Sequence, residues 1–584
     1  MIPCSSLFRL QENLLVFLRK GSLVRVSLQS CPENWRNSLL ISLLAGRAVR
    51  TRLHHPPDLF SPGRQHSTFA PCDKPSFSPY ILPMSDTSLP ELLIRAQSHG
   101  QRTAVIDSSG TYTYNDLLRA SGHVAAALLA GCDDLREERI AFLITPGFHW
   151  VAVLWGIWRA GGIAVPLPLG SPAAELDYIV HDTRAAALIG DPTALETLKP
   201  LAAKRDVAVF SVSEMLTSVD AILPDIASER RAMILYTSGT TSRPKGVVTT
   251  HANIAWQITS LIDAWEWTTK DRILLFLPLH HVHGIINVVC CALWAGATCE
   301  MLPRFDAAVV WDRIASGKLT LLMAVPTIYV RLIAAWDAAS PERRTLLSQR
   351  AAELRLMVSG SAALPVSTLE RWREITGHTL LERYGMTEIG MALSNSYRNE
   401  RVPGSVGRPL PGVEVQLVNE RGEPVALGSP GEIEVRGPNV FGEYWNKPDA
   451  TREAFRDGWF RTGDTAVVEN GIYRILGRTN IDILKTGGHK VSALEIEEAL
   501  REHPAVSECA VVGVPDSEWG ERIAAALVLT QGSDLSLEEL RTWAKSRMAA
   551  HKCPSRLLLL DALPRNAMGK VTKPAVKTLF ENQS

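Results

Sequence analysis

Residues 237–246 bring together the groups that could bind a polyphosphate. Their sequence is TSGTTSRPKG, which holds five Ser or Thr hydroxyls, two glycines and the cation of Lys245. Backbone N–H groups, hydroxyls and an ammonium group on one loop can hold several phosphate oxygens at once. The loop is not of the Walker A type, because Pro244 precedes the lysine and Gly246 follows it. The alternative is a polar surface turn, for which the same residue types are common.

Further polar segments are spaced along the rest of the chain. They are PLHHVHG at 278–284, SGSAAL at 359–364, YGMTE at 384–388, WFRTGD at 459–464 and PRNAMGK at 564–570. A lone histidine is most often structural, but three within four residues are harder to assign to structure alone. The carboxylate of Glu388 is the kind of ligand that Mg²⁺ takes, and Mg²⁺ in turn bridges phosphate oxygens.

Alternating helical and strand-like patterns must position these segments. Helical periodicity covers residues 115–129 and 150–160. Short apolar runs typical of buried strands lie at residues 140–144, 161–166, 232–235, 273–277, 321–325 and 354–359. This rhythm predicts parallel sheets with helices on both faces, and ligand residues at the carboxyl ends of the strands.

The pattern changes twice toward the C-terminus. Residues 413–435 are short β-rich pieces with frequent Gly and Pro, which predict a β-subdomain. The tail has elements of its own, enough for a separate domain, predicted at 493–503, 510–514, 524–529 and 537–549. The predicted fold class is therefore α/β. A large N-terminal domain of parallel sheets, helices and the β-subdomain spans 85–478, and a small α+β domain spans 479–584.

Composition narrows the functional classes. The 584 residues are 46% hydrophobic and carry no formal net charge, which argues against nucleic-acid binding because that function favours a basic stripe. No apolar run reaches the roughly 18 residues needed to span a bilayer. The nine cysteines form no CxxC pair, so the adjacent Cys290 and Cys291 favour small buried residues over metal ligands, in a reducing compartment.

The first 84 residues differ in charge from the rest. They contain ten Lys or Arg but only four Asp or Glu. An Arg-rich, acid-poor leader resembles an organelle transit peptide and predicts a mitochondrial matrix location. The alternative is an upstream stretch that never becomes mature protein, because Met84 is a second plausible start. The protein would then be cytoplasmic.

The motifs recur in an order that resembles the adenylate-forming superfamily, which includes acyl-CoA synthetases, luciferases and peptide-synthetase adenylation domains. The resemblance covers roughly residues 90–580. The ATP or AMP ligands that it implies are Thr237, Ser238, Gly239, Thr240, Thr241, Lys245, Ser359, Gly360, Ser361, Tyr384, Thr387, Asp464 and Arg478. Ser242 stands where the family usually has Gly, which costs roughly 1 kcal/mol if that position needs a positive φ.

The resemblance also implies a two-step reaction that uses ATP, Mg²⁺ and CoA. A carboxylate attacks the α-phosphorus of ATP, while Mg²⁺ on Glu388 and Thr241, together with Lys245 and Lys570, stabilises the charge that develops. The mobile small domain then turns about Asn480 so that the CoA thiol reaches the acyl-adenylate. The glycines implied to line the CoA tunnel are Gly487 and Gly488.

The residues before YGMTE suggest which acid is used. Most family members have a small or apolar residue where this chain has Glu382 and Arg383. A fatty chain would leave a buried guanidinium unpaired at high cost, whereas a short dicarboxylate would supply its partner. Arg383, with Arg304 as a further contact, therefore predicts malonate or methylmalonate, and this region resembles malonyl-CoA synthetases. The resemblance also implies that His281 lies beside the acyl pocket, as a catalytic residue and a contact of the substrate carboxylate. The alternatives are an ion pair of Arg383 with Glu382 or another acid, and a surface role for Arg304.

Two other functions are left open by the sequence. The first is a medium- or long-chain fatty acyl-CoA synthetase with the same chemistry and a different pocket. The second is a non-catalytic relative that binds an acyl-adenylate. Retention of Lys245, Glu388, Asp464 and Lys570 argues against the second.

A chain that starts at Met84 is expected to be soluble and fully active. Residues 1–83 carry none of the motifs, and their Pro- and Ser-rich end at 56–83 is typical of a linker. Solubility and specific activity of the two chains check this expectation. Precipitation of the shortened chain alone would show that residues 1–83 belong to the fold.

Overall fold

The computed structural model describes residues 90–218, 221–237, 243–565 and 571–582, together with the backbone of strands β1 (Asn13–Phe17) and β2 (Leu23–Ser27). The chain divides into two compact units, residues 1–88 and 89–584. In the first unit, β1 and β2 pair antiparallel. The predicted site residues that lie outside the described residues are Ser238, Gly239, Thr240, Thr241 and Lys570.

The second unit opens with alternating helices and strands, as the sequence predicts. In chain order they are α1 Glu91–His99, β3 Thr103–Asp107, β4 Gly110–Thr113, α2 Tyr114–Leu129, β5 Arg139–Leu143, α3 Phe148–Arg159, β6 Ile163–Pro166, α4 Ala173–Thr183, β7 Ala187–Gly190, α5 Leu195–Arg205, β8 Ala208–Ser211 and α6 Val212–Met215. Helix α3 is buried along almost its whole length because only its last residue, Arg159, is charged at neutral pH.

The alternation continues through the segments that carry the motifs. The elements are β9 Arg231–Thr237, β10 Lys245–Thr250, α7 His251–Trp265, β11 Arg272–Leu275, a π-helix His283–Cys290, α8 Cys291–Ala295, β12 Thr298–Met301, α9 Ala307–Ala315, β13 Leu321–Ala324, α10 Pro326–Asp337, α11 Pro341–Ala352, β14 Leu356–Ser359, α12 Val366–Thr376, β15 Leu381–Met386 and β16 Gly390–Ser394. No sequence pattern predicted the π-helix.

A β-rich stretch and an α+β tail complete the unit. The β-rich stretch holds β17 Arg408–Pro409, β18 Glu414–Val418, β19 Gly431–Arg436, β20 Glu443–Tyr444, α13 Pro448–Ala454, β21 Phe455–Arg456, β22 Trp459–Glu469 and β23 Ile472–Arg478. The tail holds β24 Ile483–Thr486, β25 His489–Ser492, α14 Ala493–Arg501, β26 Val506–Asp516, β27 Gly520–Leu529, α15 Leu537–Lys545, a 3₁₀ turn Ala550–Lys552, β28 Arg556–Leu559 and α16 Lys573–Glu581. The predicted boundary between residues 478 and 479 stays a prediction.

Two large sheets position the motifs. The nine-stranded sheet has the order β17-β16-β15-β14-β13-β11-β12-β3-β4, and it is parallel from β3 to β15. The seven-stranded sheet has the order β20-β10-β9-β6-β5-β7-β8, with β10 antiparallel to both of its neighbours. Two five-stranded sheets form the β-rich stretch and the tail. The predicted α/β class is confirmed.

Two properties of the described residues bear on the sequence predictions. None of their helices is both long and apolar enough to cross a bilayer. Every cysteine among them is a free thiol. Cys290 and Cys291 are completely buried, and burial raises the pKa of Cys290 to about 12. Both therefore act as small core residues rather than nucleophiles.

A buried ion pair fixes the start of β11, the strand that leads to the three histidines. Arg355 donates to both carboxylate oxygens of Asp271, at 2.7 and 2.8 Å, and the Asp271 side chain is 2% exposed. Thr320 donates a further hydrogen bond at 2.8 Å. Burial alone would raise the pKa of Asp271, but these donors hold it below its usual value.

Asp271→Asn is expected to lower the free energy of unfolding by about 3 kcal/mol, because breaking a buried pair leaves Arg355 without its partner. The lowered pKa makes this contribution fully present above pH ~4, and it is lost as pH falls through the pKa of the folded state. Urea unfolding at pH 7 and at lower pH measures both effects. Asp312→Asn, which breaks an exposed pair with Arg343, is the control. Equal losses in the two variants would contradict the prediction.

Candidate active site

The carboxyl ends of β14 and β15 place Gly360 against Arg383. The strands are parallel, with Ser359 opposite Glu382. A Cβ atom on Gly360 would lie 2.5 Å from the guanidinium carbon of Arg383, so a glycine is required for the arginine to fit. This edge of the sheet is where ligand residues are expected in a parallel α/β fold.

Arg383 is buried, and the described residues supply no counter-charge for it. The residue is 3% exposed, and its Nε and Nη2 atoms find no hydrogen-bond partner in the described part of the chain. Burial lowers the pKa of Arg383 to about 10, so it remains a cation at neutral pH.

The neighbouring Glu382 does not pair with Arg383, so the alternative of an ion pair between these two residues is wrong. Adjacent strand residues point to opposite faces of a sheet, and Glu382 accepts a hydrogen bond from the Gly404 N–H at 2.9 Å. Burial, with a smaller contribution from Glu498, raises the pKa of Glu382 to about 8. The carboxyl group is therefore mostly neutral at pH 7.

The three histidines lie in the segment that follows β11, and one of them, His283, meets the loop after β14. The rings of His280 and His281 are 4.2 Å apart, and burial lowers the pKa of His280 to about 4. His283 Nδ1 lies 3.3 Å from Ser361 Oγ. Ser361 has a φ of +71°, an uncommon conformation for a non-glycine residue that is often found at functional sites.

Three predicted nucleotide ligands from distant parts of the chain meet at the next position along β15. Tyr384 Oη donates to Asp464 Oδ2 at 2.6 Å, and Arg478 Nε lies 3.6 Å from Asp464 Oδ1. Burial raises the pKa of Asp464, although Tyr384 and Arg478 oppose the shift. A carboxylate held by a phenol and a guanidinium has acceptor capacity left for a pair of hydroxyls.

Glu388 lies in the turn between β15 and β16 and is 6% exposed. Tyr444 Oη donates to its Oε1 atom at 3.0 Å. Burial raises the pKa of Glu388, while Tyr444, Arg478 and Lys245 lower it by smaller amounts. Lys245 Nζ lies 4.9 Å from the centre of the Tyr444 ring.

This arrangement fits a Mg²⁺ ion that is shared with a nucleotide. Within the described ranges, no group of three or more His, Cys, Asp or Glu side chains could hold a metal by itself. Mg²⁺ is commonly held by one or two carboxylates plus substrate phosphates. Glu388 is a buried carboxylate of that kind, with a single side-chain hydrogen bond among the described residues.

Helix α4 holds both ends of the predicted phosphate loop. Thr237 and Lys245 pair across β9 and β10. Next to them, Tyr236 Oη donates to Asp182 Oδ2 at 2.6 Å, and Tyr178 Oη donates to the Pro244 carbonyl at 2.8 Å. Sequence reasoning missed both α4 residues, because nothing in the local sequence of that helix distinguishes them from surface residues.

The other predicted residues occupy exposed or half-buried positions. Thr387 shares the turn of Glu388 and is half-buried, whereas Arg304 is exposed after β12. Asn480 is exposed in the turn after β23. Gly487 and Gly488 are exposed between β24 and β25, with φ angles of +54° and +78° that favour glycine.

A buried network that the sequence did not predict ties the C-terminal helix to the segment after Asn480. Lys573, the first residue of α16, lies 2.5 Å from Asp482 Oδ1 and 2.7 Å from Glu497 Oε1. Asp482 Oδ2 also accepts a hydrogen bond from the Arg478 N–H at 2.9 Å. The start of α16 and the end of β23 therefore share one carboxylate.

Comparison with known proteins shows which family the chain belongs to. Residues 93–445 match the AMP-binding enzyme family, and residues 495–570 match the AMP-binding enzyme C-terminal domain. The chain belongs to the AMP-binding enzyme family. The predicted superfamily is thus confirmed, and the two matched regions fall in the large and small domains that the sequence predicts.

Several relatives and solved structures are similar over most of the chain. The mitochondrial malonate–CoA ligase ACSF3 of Mus musculus is 47% identical over 84% of this chain and 90% of its own length. The Homo sapiens protein of that name is 45% identical over 84% and 92%. The structure of ATP-bound MatB from Rhodopseudomonas palustris superposes with a TM-score of 0.79 at 34% identity, over 85% of this chain and 99% of MatB.

Proposed function

We propose that this AMP-binding enzyme is an acid–thiol ligase that converts malonate, ATP and CoA into malonyl-CoA, AMP and pyrophosphate. The observation that carries the proposal is Arg383, a buried cation in β15 for which the described residues supply no counter-charge. Relatives named malonate–CoA ligases, at 45% and 47% identity, support the same substrate.

The energetics of Arg383 favour a dicarboxylate over a monocarboxylate. A buried unpaired guanidinium costs several kcal/mol, and a carboxylate in contact with it offsets that cost. One carboxylate of malonate would pair with Arg383, and the other would be left for activation. The apolar chain of a fatty acid supplies no such partner, so no observation favours the fatty acyl-CoA synthetase alternative.

In the first step, residues along and beside β15 would hold ATP. Asp464 and Tyr384, which share a hydrogen bond, would bind the ribose and adenine, and Lys245, which lies over the Tyr444 ring, would contact phosphate. Mg²⁺, when bound to Glu388, supplies charge neutralisation at the phosphates. Lys570 would stabilise the charge on the α-phosphate during the attack.

In the second step, the small domain would turn about Asn480 and bring Gly487 and Gly488 toward the acyl-adenylate. The ion pairs of Lys573 with Asp482 and Glu497 tie the start of α16 to the segment beyond the hinge. Lys570 stands three residues before Lys573 in the sequence, so the turn that admits CoA would also withdraw Lys570.

We also propose a mitochondrial location. Relatives from mouse and human carry that word in their names, and residues 1–84 have the composition of a transit peptide.

The test of the proposed enzymatic function is a panel of acids assayed for ATP-dependent CoA thioester formation. Palmitate activation without malonate activation would select the fatty acyl alternative, and no pyrophosphate exchange with any acid would select the non-catalytic one.

Arg383→Ala is expected to lower kcat/KM for malonate by about a hundred-fold or more, because truncating one partner of a buried charge pair typically costs ~2–5 kcal/mol. Activity toward butyrate should change little or rise, since the unpaired cation is gone. Arg304→Ala should act in the same direction but more weakly. The malonate-to-butyrate ratio at saturating ATP and CoA is the quantity to measure.

The control for Arg383 is Arg371→Ala, which removes an exposed arginine paired with Asp337 and Glu374. It should leave the malonate-to-butyrate ratio unchanged. If Arg383→Ala lowers kcat/KM for malonate and for butyrate by the same factor, Arg383 has a structural role. The dicarboxylate assignment then loses its physical basis.

Lys570→Ala is expected to slow adenylation while sparing thioester formation from preformed malonyl-adenylate. Loss of one charged contact to the transition state costs ~3–4 kcal/mol, or roughly a hundred- to a thousand-fold in rate. Pyrophosphate exchange and single-turnover thioester formation measure the two steps separately. Lys577→Ala, which changes a half-buried lysine on α16 that lies 3.8 Å from Glu521, is the control. Equal losses in both steps would refute this division of roles.

A further inference from the structure

Tyr444 contacts two charged residues of the proposed site, Glu388 and Lys245. Its hydroxyl donates to Glu388 Oε1 at 3.0 Å, and the Lys245 ammonium lies 4.9 Å from its ring centre. Tyr444 therefore contacts the candidate metal ligand through its hydroxyl and the lysine of the phosphate loop through its ring face. Tyr444 is only 7% exposed. A tyrosine hydroxyl is protonated at neutral pH, so that of Tyr444 is a donor to Glu388.

The backbone around Tyr444 holds it in register with both partners. Strand β20 pairs with β10 so that Tyr444 lies opposite Val247, two residues after Lys245. The Trp445 N–H donates to the Gly246 carbonyl at 2.7 Å. The Phe441 N–H donates to the Glu388 carbonyl at 2.8 Å. The short segment 441–445 thus joins the start of β10 to the turn that carries Glu388.

The hydroxyl and the ring make separable contributions. Among the described residues, the Tyr444 hydroxyl is the side-chain donor to the Glu388 carboxylate, and it acts beside a hydrogen bond from the backbone N–H of Glu388 itself. The ring face offers Lys245 a cation–π contact, which favours one position of a flexible side chain. Such outer partners orient metal ligands and are often as important as the ligands themselves.

We propose that Tyr444 is a positioning residue that orients the Glu388 carboxylate toward nucleotide-bound Mg²⁺ and holds the Lys245 ammonium beside the same phosphates. This inference rests on the proposed function, because the roles of Glu388 and Lys245 belong to it. Tyr444 does not contact the reacting atoms. It couples the metal ligand to the phosphate-loop lysine through one side chain.

The test compares nucleotide affinity with and without metal in the full-length protein. The probe is α,β-methylene ATP, titrated by calorimetry in excess Mg²⁺ and again in EDTA. Tyr444→Phe keeps the ring and removes the hydroxyl. We expect its affinity in EDTA to match the wild type, and the tightening by Mg²⁺ to shrink by ~ten-fold or more, as for other lost partners of metal ligands.

A second variant separates the ring from the hydroxyl. Tyr444→Leu also removes the contact with Lys245, so its affinity in EDTA should fall as well. Tyr473→Phe is the matched control, because the Tyr473 hydroxyl donates to the Val415 carbonyl at 3.4 Å, away from Glu388. It should bind like the wild type in both conditions.

A double mutant decides between positioning and a general structural effect. In the Glu388→Gln background, Tyr444→Phe should cause no further loss of the Mg²⁺-dependent tightening, since the carboxylate it orients is gone. Additive losses, or unchanged tightening in Tyr444→Phe alone, would overturn the inference about Tyr444. Unchanged tightening in Glu388→Gln would instead overturn the metal role of Glu388 in the proposed function.

Discussion

Burial of charge that the protein does not itself neutralise is the constraint on which the rest of the site depends. Strand β15 and the turn after it carry a cation, Arg383, and an anion, Glu388, and both are at least 94% buried. Such burial is costly unless a partner of opposite charge arrives. The large apolar core of the surrounding fold offsets this cost. Glu382 does not neutralise Arg383, because it points to the opposite face of the sheet and is mostly neutral. In the proposed function, the substrates would complete the site as counter-ions.

The link between the large and small domains follows a different principle. On the surface, Lys490 pairs with Glu420 while both side chains are more than half exposed, and such pairs contribute only about 0–1 kcal/mol. Glu498 of α14 accepts the N–H of Val366 at 2.7 Å, at the start of a helix with no side-chain cap of its own. Both of these contacts are polar, and the proposed rotation of the small domain would have to break them. By contrast, the Lys573 network within the small domain is buried and charge-paired, so that domain would move as a rigid body.

Local sequence patterns predicted the strands well, but they did not predict side-chain contacts between distant segments. Apolar runs and the Pro or Gly after them located β11, β13 and β14 to within two residues at each end, because the strand pattern and its terminator are both local. The π-helix at His283–Cys290 has no such signal, since an apolar segment of that length fits several backbones. Tyr444 lies 56 residues from Glu388 in the sequence, and Asp182 lies 54 residues from Tyr236. No periodicity reports contacts over those separations, so only the assembled sheets bring the pairs together.

The same electrostatic logic sets how far acid selectivity can reach. In the proposed function, Arg383 would distinguish acids by whether they bring a second carboxylate, because an acid without one would leave a buried cation unpaired. A methyl group on the carbon between the carboxylates changes neither charge, and a single methylene typically alters selectivity by only ~1–3 kcal/mol. Discrimination between malonate and methylmalonate would therefore fall to the shape of the pocket around Arg383, where a Cβ atom on Gly360 would lie 2.5 Å from the guanidinium carbon. Charge would select the class of acid, and packing would select the member of that class.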